Sequence, residues 1–239
     1  MTVKLKTFIK SLFGMLDIDI KKLQPYQKNR FAWIEKYKIN TLIDIGSNIG
    51  QFALEIGKKY PDIEIYSFEP IRDVFEEFRQ NTHKYKRIKG FNIALGDING
   101  SLKILKNDFS ASSSILEMAD LHKETFPYTK NMHEENVIIK RLDDFIQEQG
   151  IKLKYDLMIK LDVQGYEDRV LKGGMHTVEN AKIIIIEVSF FELYANQILF
   201  SGIYNTLTNA GYKYIGDLDI IYHPKTGIPL SADAIFIRD

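Results

Sequence analysis

The chain has 239 residues, of which 45% are apolar and 27% charged, which suits one large globular domain or one domain with a short appendage. Its 32 Lys and Arg balance 32 Asp and Glu, so it lacks the broad basic field that nucleic-acid binders use, and no nucleic-acid partner is expected. With 0 Cys, disulfides, thiolate metal sites and a Cys nucleophile are excluded, and a reducing, cytoplasmic setting is compatible.

Leu5, Phe8, Ile9, Leu12, Phe13 and Leu16 recur at helical spacing, with Lys4, Lys6 and Lys10 off that stripe. This amphipathic helix can pack on the main domain, on a second copy in a homodimer, or on an anionic membrane surface through residues 1–22, at the inner face of the membrane. The segment has no long apolar region and no small-residue cleavage pattern, so it does not read as a secretory signal. No apolar run reaches the roughly 18 residues of a transmembrane helix. A second short helix is expected over Tyr26–Tyr37. Residues 1–39 thus form an N-terminal helical extension, and residues 40–239 the main domain.

From Asn40 strands and helices alternate. Strands are expected at Thr41–Ile45, Ile63–Phe68 and Arg87–Ala94, with helices at Gly50–Lys59 and Ile71–Asn81 between them. Ser101–Leu105 reads as an added short strand, and residues 108 to 135 as polar and irregular. Val137–Lys140 is a further short strand before a helical turn in "RLDDFIQEQG". Tyr155–Asp162 is a strand, followed by a helix from about Glu167. Lys182–Val188 is a strand so rich in isoleucine that both its faces should be buried. A helix at Phe200–Ala210 precedes strands at Tyr212–Ile215 and Ala234–Arg238, with the "HPKTG" turn between them. Repeated βα units predict an α/β fold with a mostly parallel sheet and helices on both faces. The last two strands have no helix between them and should be antiparallel.

The first strand runs into "DIGSNIG". Gly46 and Gly50 let the backbone turn and approach a ligand, and the helix beginning near Gly50 points free N–H groups at the same place. A dinucleotide fingerprint requires G-x-G-x-x-G. Asn48 stands where its second glycine would be, and Asp44 adds a carboxylate that a diphosphate would disfavour. The loop Asp44, Gly46, Ser47, Asn48, Gly50 therefore suits a cationic nucleoside, S-adenosylmethionine, better than NAD. Glu69, at the end of the second strand in "YSFEP", is placed to accept both ribose hydroxyls. Asn92 and Ala94, in "FNIALGD", lie where an adenine ring would be sandwiched.

Together "DIGSNIG", "FEP", "NIALGD", "RLDDF" and "KLDVQGYEDRVLKGG" resemble the FkbM family of S-adenosylmethionine-dependent methyltransferases, in order from about residue 40 to the C-terminus. The resemblance implies a class I methyltransferase (Rossmann-like) fold with a seven-stranded sheet. It also implies O-methylation of a hydroxyl on a sugar, glycan or polyketide-like secondary metabolite. The family commonly has Glu, in D-V-E-G-x-E, where this chain has Gln164.

"LMIKLDVQGYED" brings Asp162 to the tip of a strand facing the same crevice as Asp44 and Glu69. Methyl transfer needs an aligned acceptor oxygen and a group to take its proton. Asp162 is the first candidate for that proton acceptor or for a substrate anchor. Holding the cofactor's ammonium or capping the following helix are its other readings. Glu187, closing "IIIIEVSF", is a second catalytic candidate. Lys160 must be paired if buried, with Asp162 or Glu187 as partner. Ser113, Ser114 and His133, with Ser112, His122 and Tyr128, lie in the long polar stretch and are candidates for recognising acceptor hydroxyls. The five histidines form no zinc-binding pattern, so no metal is expected. Two alternatives stay open: methylation of RNA or a protein side chain, and a non-catalytic cofactor-binding scaffold that recruits a partner enzyme.

Overall fold

Four consecutive isoleucines, Ile183 to Ile186, are completely buried, because their strand has neighbours on both sides within the sheet and apolar packing on both faces. The computed structural model describes residues 29–107, 112–129, 132–153 and 156–238. The amphipathic stripe expected between Leu5 and Leu16 lies outside the described residues. Of the helix expected over Tyr26–Tyr37, Ala32–Tyr37 forms a 3₁₀ turn. The chain divides into two compact units between Lys36 and Tyr37, and every strand of the fold belongs to the larger, C-terminal one.

The strands are β1 (Thr41–Ile45), β2 (Glu64–Phe68), β3 (Ile88–Phe91), β4 (Ala94–Leu95), β5 (Gly100–Asn107), β6 (Met132–Lys140), β7 (Leu157–Leu161), β8 (Ala181–Ser189), β9 (Lys213–Tyr222) and β10 (Pro229–Ile237). The helices are α1 (Gln51–Lys59), α2 (Arg72–Thr82), α3 (Asp120–Thr125), α4 (Leu142–Glu148), α5 (Glu167–Gly173), α6 (Met175–Glu179) and α7 (Phe200–Asn209). Seven strands make one sheet in the order β3-β2-β1-β7-β8-β10-β9. The first five run parallel, and β10 is antiparallel to both β8 and β9. This is the expected class I methyltransferase architecture, with its antiparallel C-terminal pair.

Side chains alternate across the sheet. Ile43, Ile45, Ile159, Leu161, Ile184 and Ile186 face a core completed by Phe145 of α4, Val170 and Leu171 of α5, and Ile203 and Leu207 of α7. On the other face α1 packs on the sheet, with the side chains of Ile65 in β2 and Ile88 in β3 beside Gly57. Order reverses between β1 and β7, so the carboxyl ends of these two strands open on the switch-point crevice where such sheets bind ligands.

Three stretches differ from expectation. Arg87–Ala94 is not one strand: the chain changes sheets at Asn92 and Ile93, and Ala94–Leu95 pairs instead with β6. Part of the polar stretch is ordered as α3, a 3₁₀ turn at Pro127–Thr129 and the first half of β6. Its strand, "MHEEN", shows no apolar alternation: β5 and β6 are joined by an antiparallel backbone ladder, with exposed ion pairs such as Lys103 and Glu134, at 2.5 Å, across it. The last two strands run longer than expected: edge strand β9 extends to the exposed Tyr222, and β10 begins at Pro229, with Leu230, Ser231 and Ala232 buried.

Candidate active site

The crevice forms because three strand ends are tied together by backbone. Gly46 and Ser47 both donate N–H to the Phe68 carbonyl at 3.0 Å, and Asp162 donates N–H to the Ile45 carbonyl at 3.0 Å. Gly46 takes φ +77°, and a Cβ there would run into the Asp162 carbonyl, so only glycine lets β1 and β7 approach this closely. Asn48 is left-handed, with φ 47°, a conformation Asn tolerates better than most residues.

Glu69 fastens this loop to the start of α2. Its Oε2 accepts the Asn48 N–H at 3.0 Å and its Oε1 the Ile71 N–H at 2.9 Å. Burial pushes its carboxyl up to about 7, against the pull of those two N–H groups. The Asn92 amide braces the same corner, donating to the carbonyls of Glu69 at 2.9 Å and Pro70 at 2.8 Å.

Two cavities meet here. The first encloses about 90 Å³ between Gly46, Asn48, Glu69, Ala94, Ile115 and Asp162, with apolar side walls from Phe68, Ile93 and Leu95. It is smaller than the roughly 300–1,000 Å³ of ordinary ligand pockets, and Ser113 and Ile115 are also part of its lining. The second, of about 380 Å³, lies between Asp162, Glu187, His122, Tyr194, Asp219 and Asp233. Asp162 and Gln164 line both.

Gln164 is the hub of this partition. Held at φ 57°, it donates its amide N–H groups to Asp162 Oδ1 and Glu187 Oε2, each at 2.8 Å. Its Oε1 accepts the Tyr194 hydroxyl at 2.6 Å, which fixes which end of the amide faces the carboxylates. Its backbone carbonyl accepts Ser114 Oγ at 2.5 Å. Behind it, buried Glu167 accepts the N–H groups of Val163 and Gly165, at 3.0 and 3.2 Å, and so shapes the turn after β7.

Lys160 is buried and ion-paired with Asp162 at 3.2 Å and Asp233 at 3.0 Å. Burial alone would lower its pKa, but Asp162 and Asp233 overcome that and hold it above the usual lysine range. Asp44 lies beside Lys160 in register and accepts Ser67 Oγ at 3.4 Å. Burial, opposed by Lys160 and aided by Asp162, lifts its carboxyl to about 7. Burial, and then the charges of Asp162 and Glu167, raise Glu187 well above the carboxylate range. Among the described residues no group of His, Asp and Glu is arranged to hold a metal ion.

The expected residues thus divide. Gly46, Asn48, Glu69, Ala94, Ser113 and Asp162 line the first cavity, and Asp162 and Glu187 the second. Asp44 sits behind the first cavity, buried within β1. Ser47 is buried with its hydroxyl unpartnered. Gly50 packs on Phe78 and Thr82, and Asn92 acts as a brace. Ser114 bonds the Gln164 backbone instead of facing the crevice. His133 is exposed on β6 opposite Lys106, away from both cavities. Sequence reasoning missed Tyr194 and Asp233. Asp233 stands directly across from Glu187 in the antiparallel pairing, a relation visible only once the register is known.

The model of the methyltransferase FkbM domain matches residues 44–214. The chain is 29% identical over 173 residues to 2-O-methyltransferase NoeI of Sinorhizobium fredii, covering 70% of each chain. It is 33% identical over 143 residues to methyltransferase 1 of Beauveria bassiana, covering 55% of this chain and 57% of that one. It is 29% identical over 181 residues to the hexuronic acid methyltransferase AglP of Haloferax volcanii, covering 75% of this chain and 64% of that one.

Proposed function

The chain belongs to the methyltransferase FkbM domain family, and from that premise we propose that it is an S-adenosylmethionine-dependent O-methyltransferase acting on a hydroxyl of a sugar, glycan or secondary metabolite. The observation that carries this reading is the pair of adjoining cavities at the switch point, with Asp162 and Gln164 common to both. One compartment suits a nucleoside and the other an acceptor.

The residues of the first cavity fit the cofactor's chemistry. Phe68, Ile93 and Leu95 offer an apolar slot for a flat base, and Glu69 offers carboxylate lone pairs to ribose hydroxyls. When bound there, S-adenosylmethionine supplies an electrophilic methyl group on positively charged sulfur. The protein's part is to align and deprotonate. Asp162, fixed by Lys160 and Gln164, stands between the compartments and would take the proton from the acceptor hydroxyl. Glu187 holds the far side of the Gln164 amide.

A small hydroxylated acceptor is supported by the size of the second cavity, and by relatives whose names specify 2-O-methylation and hexuronic acid methylation. Within the same proposal, residues 1–39 are an extension to a catalytic domain at 40–239, and the enzyme works in the cytoplasm. No described helix is long and apolar enough to cross a membrane.

Calorimetric titration with S-adenosylmethionine and with NAD tests the reading. Binding of the first and not the second is expected, followed by one added methyl group on an acceptor by mass spectrometry. Binding of NAD alone would end it.

A further inference from the structure

His122, on α3, lines the second cavity. It is 4% exposed, and neither of its ring nitrogens has a hydrogen-bond partner among the described residues. Burial lowers its pKa to about 4, so at neutral pH the imidazole is uncharged, with one nitrogen able to donate and one to accept. Buried polar groups are rarely left unpaired. An apolar side chain of similar shape would carry no desolvation cost at this position, so packing alone does not account for a histidine there.

The surroundings of the ring are aromatic. Phe126 and Tyr194 lie against it, with centroids 5.2 and 5.0 Å away. Phe126 has no polar group to offer, and the Tyr194 hydroxyl is donated to Gln164 Oε1. A half-turn about Cβ–Cγ exchanges nitrogen and carbon around an imidazole and keeps its outline. The edge that lines the cavity can therefore carry a nitrogen without disturbing these contacts.

We propose that His122 selects the acceptor by sharing a hydrogen bond with a hydroxyl other than the one methylated, and that the acceptor is therefore a ring with at least two hydroxyls. Asp162 lines both cavities, whereas His122 lines only the second. The reacting hydroxyl belongs beside Asp162, where the chambers adjoin. Tyr194 separates that point from His122: its ring packs on the imidazole, and its hydroxyl bonds Gln164, which in turn bonds Asp162. A hydroxyl both donates and accepts, so it suits either nitrogen of a neutral imidazole. A ring lacking that hydroxyl would leave the imidazole unpaired, which is how a polar site rejects a deoxy analogue. The inference rests on the methyltransferase reading of the two cavities.

The test uses full-length protein saturated with S-adenosylhomocysteine. The methyl glycosides of glucose, galactose and mannose are titrated in turn, each with its series of monodeoxy analogues, and binding is followed by saturation-transfer NMR and calorimetry. At least one parent glycoside should bind, and His122→Phe should weaken it at least about five-fold. The same variant should hold S-adenosylhomocysteine as before and unfold in urea at an equal or higher concentration, because an unpaired buried group has been removed. One deoxy analogue should bind the wild type as weakly as the parent binds His122→Phe, and should lose nothing further in that variant. His122→Asn, which keeps a donor and an acceptor, should fall between the two, and it carries the same comparison if the Phe variant does not fold. Undiminished glycoside binding by His122→Phe would overturn the inference. So would losses that simply add for every deoxy analogue, or binding of none of the three glycosides by protein that holds S-adenosylhomocysteine. Protein that does not bind S-adenosylhomocysteine at all would remove the methyltransferase reading beneath it, and the inference with it.

Discussion

Gly46 and Asp162 are in backbone contact across the switch point: the Asp162 carbonyl occupies the space where any side chain on Gly46 would begin. Gly46→Ala therefore forces the two strand ends apart. It adds left-handed strain of about 1–2 kcal/mol on top of the collision. The variant should lose at least ten-fold in S-adenosylmethionine affinity and about 2 kcal/mol or more in stability. Calorimetry and urea unfolding check both; an unchanged affinity would mean the loop does not hold the cofactor.

Glu69→Gln tests the second strand's carboxylate. The amide keeps one acceptor oxygen but turns N–H groups toward one of the two backbone donors, Asn48 or Ile71. Hydrogen bonds to a charged group are worth about 1.5–3 kcal/mol. The variant should bind S-adenosylmethionine one to two decades more weakly, at about 1.4 kcal/mol per decade.

Stability should fall as pH rises toward neutrality. Burial lifts Asp44, Glu69 and Glu167 to about 7. Between their unfolded values near 4 and about 7, the native state therefore holds protons the unfolded chain has released. Each such proton makes folding less favourable by about 1.4 kcal/mol per pH unit. Glu187 and Asp233 act in the same direction. His122, lowered to about 4, acts in the opposite one up to its unfolded value. The carboxyls outnumber it, so the ligand-free protein should lose roughly 1–3 kcal/mol per pH unit between about pH 5 and 7. Urea unfolding at several pH values measures this, and a flat profile would contradict the burial of these groups.

Lys160→Met should be among the costliest substitutions. It leaves Asp162 and Asp233 without their buried cation, a loss of about 3–5 kcal/mol when one partner of a buried pair is removed. Adding Asp233→Asn should recover part of that stability, which a double-mutant cycle reads directly.

Tyr194→Phe and Gln164→Glu separate position from charge. Tyr194→Phe removes the 2.6 Å bond that orients the Gln164 amide, and should lower kcat several-fold with little change in cofactor affinity. Gln164→Glu sets a third carboxyl between Asp162 and Glu187, with no donor left to bridge them. Its activity should be at least about ten-fold lower at neutral pH and recover toward acid, where a proton replaces the lost N–H. A pH–rate profile that merely scales down would refute the bridging role.

The sequence made the sheet's centre legible and its margins much less so. Thr41–Ile45 and Lys182–Val188 are apolar runs bounded by turns, and they fold where that pattern puts them. "MHEEN" carries no such pattern, because an exposed ribbon needs none. The site divides in the same way. Gly46, Asn48, Glu69 and Asp162 stand at strand ends, where chain order alone brings them together. Gln164 was visible only as a departure from D-V-E-G-x-E. Its work depends on Tyr194, thirty residues away, and on a left-handed backbone that no spacing announces. Asp233 comes from the far end of the chain and meets the crevice only through antiparallel register.

The partition made by Asp162 and Gln164 has a bearing on inhibitor design. Two chambers that share these lining residues lie side by side, within reach of one molecule. An adenosine tethered through a short linker to a hydroxylated ring would occupy the two chambers at once, with its second half delivered at high effective concentration once the first has bound. Such a chimera should hold this enzyme far more tightly than either fragment alone.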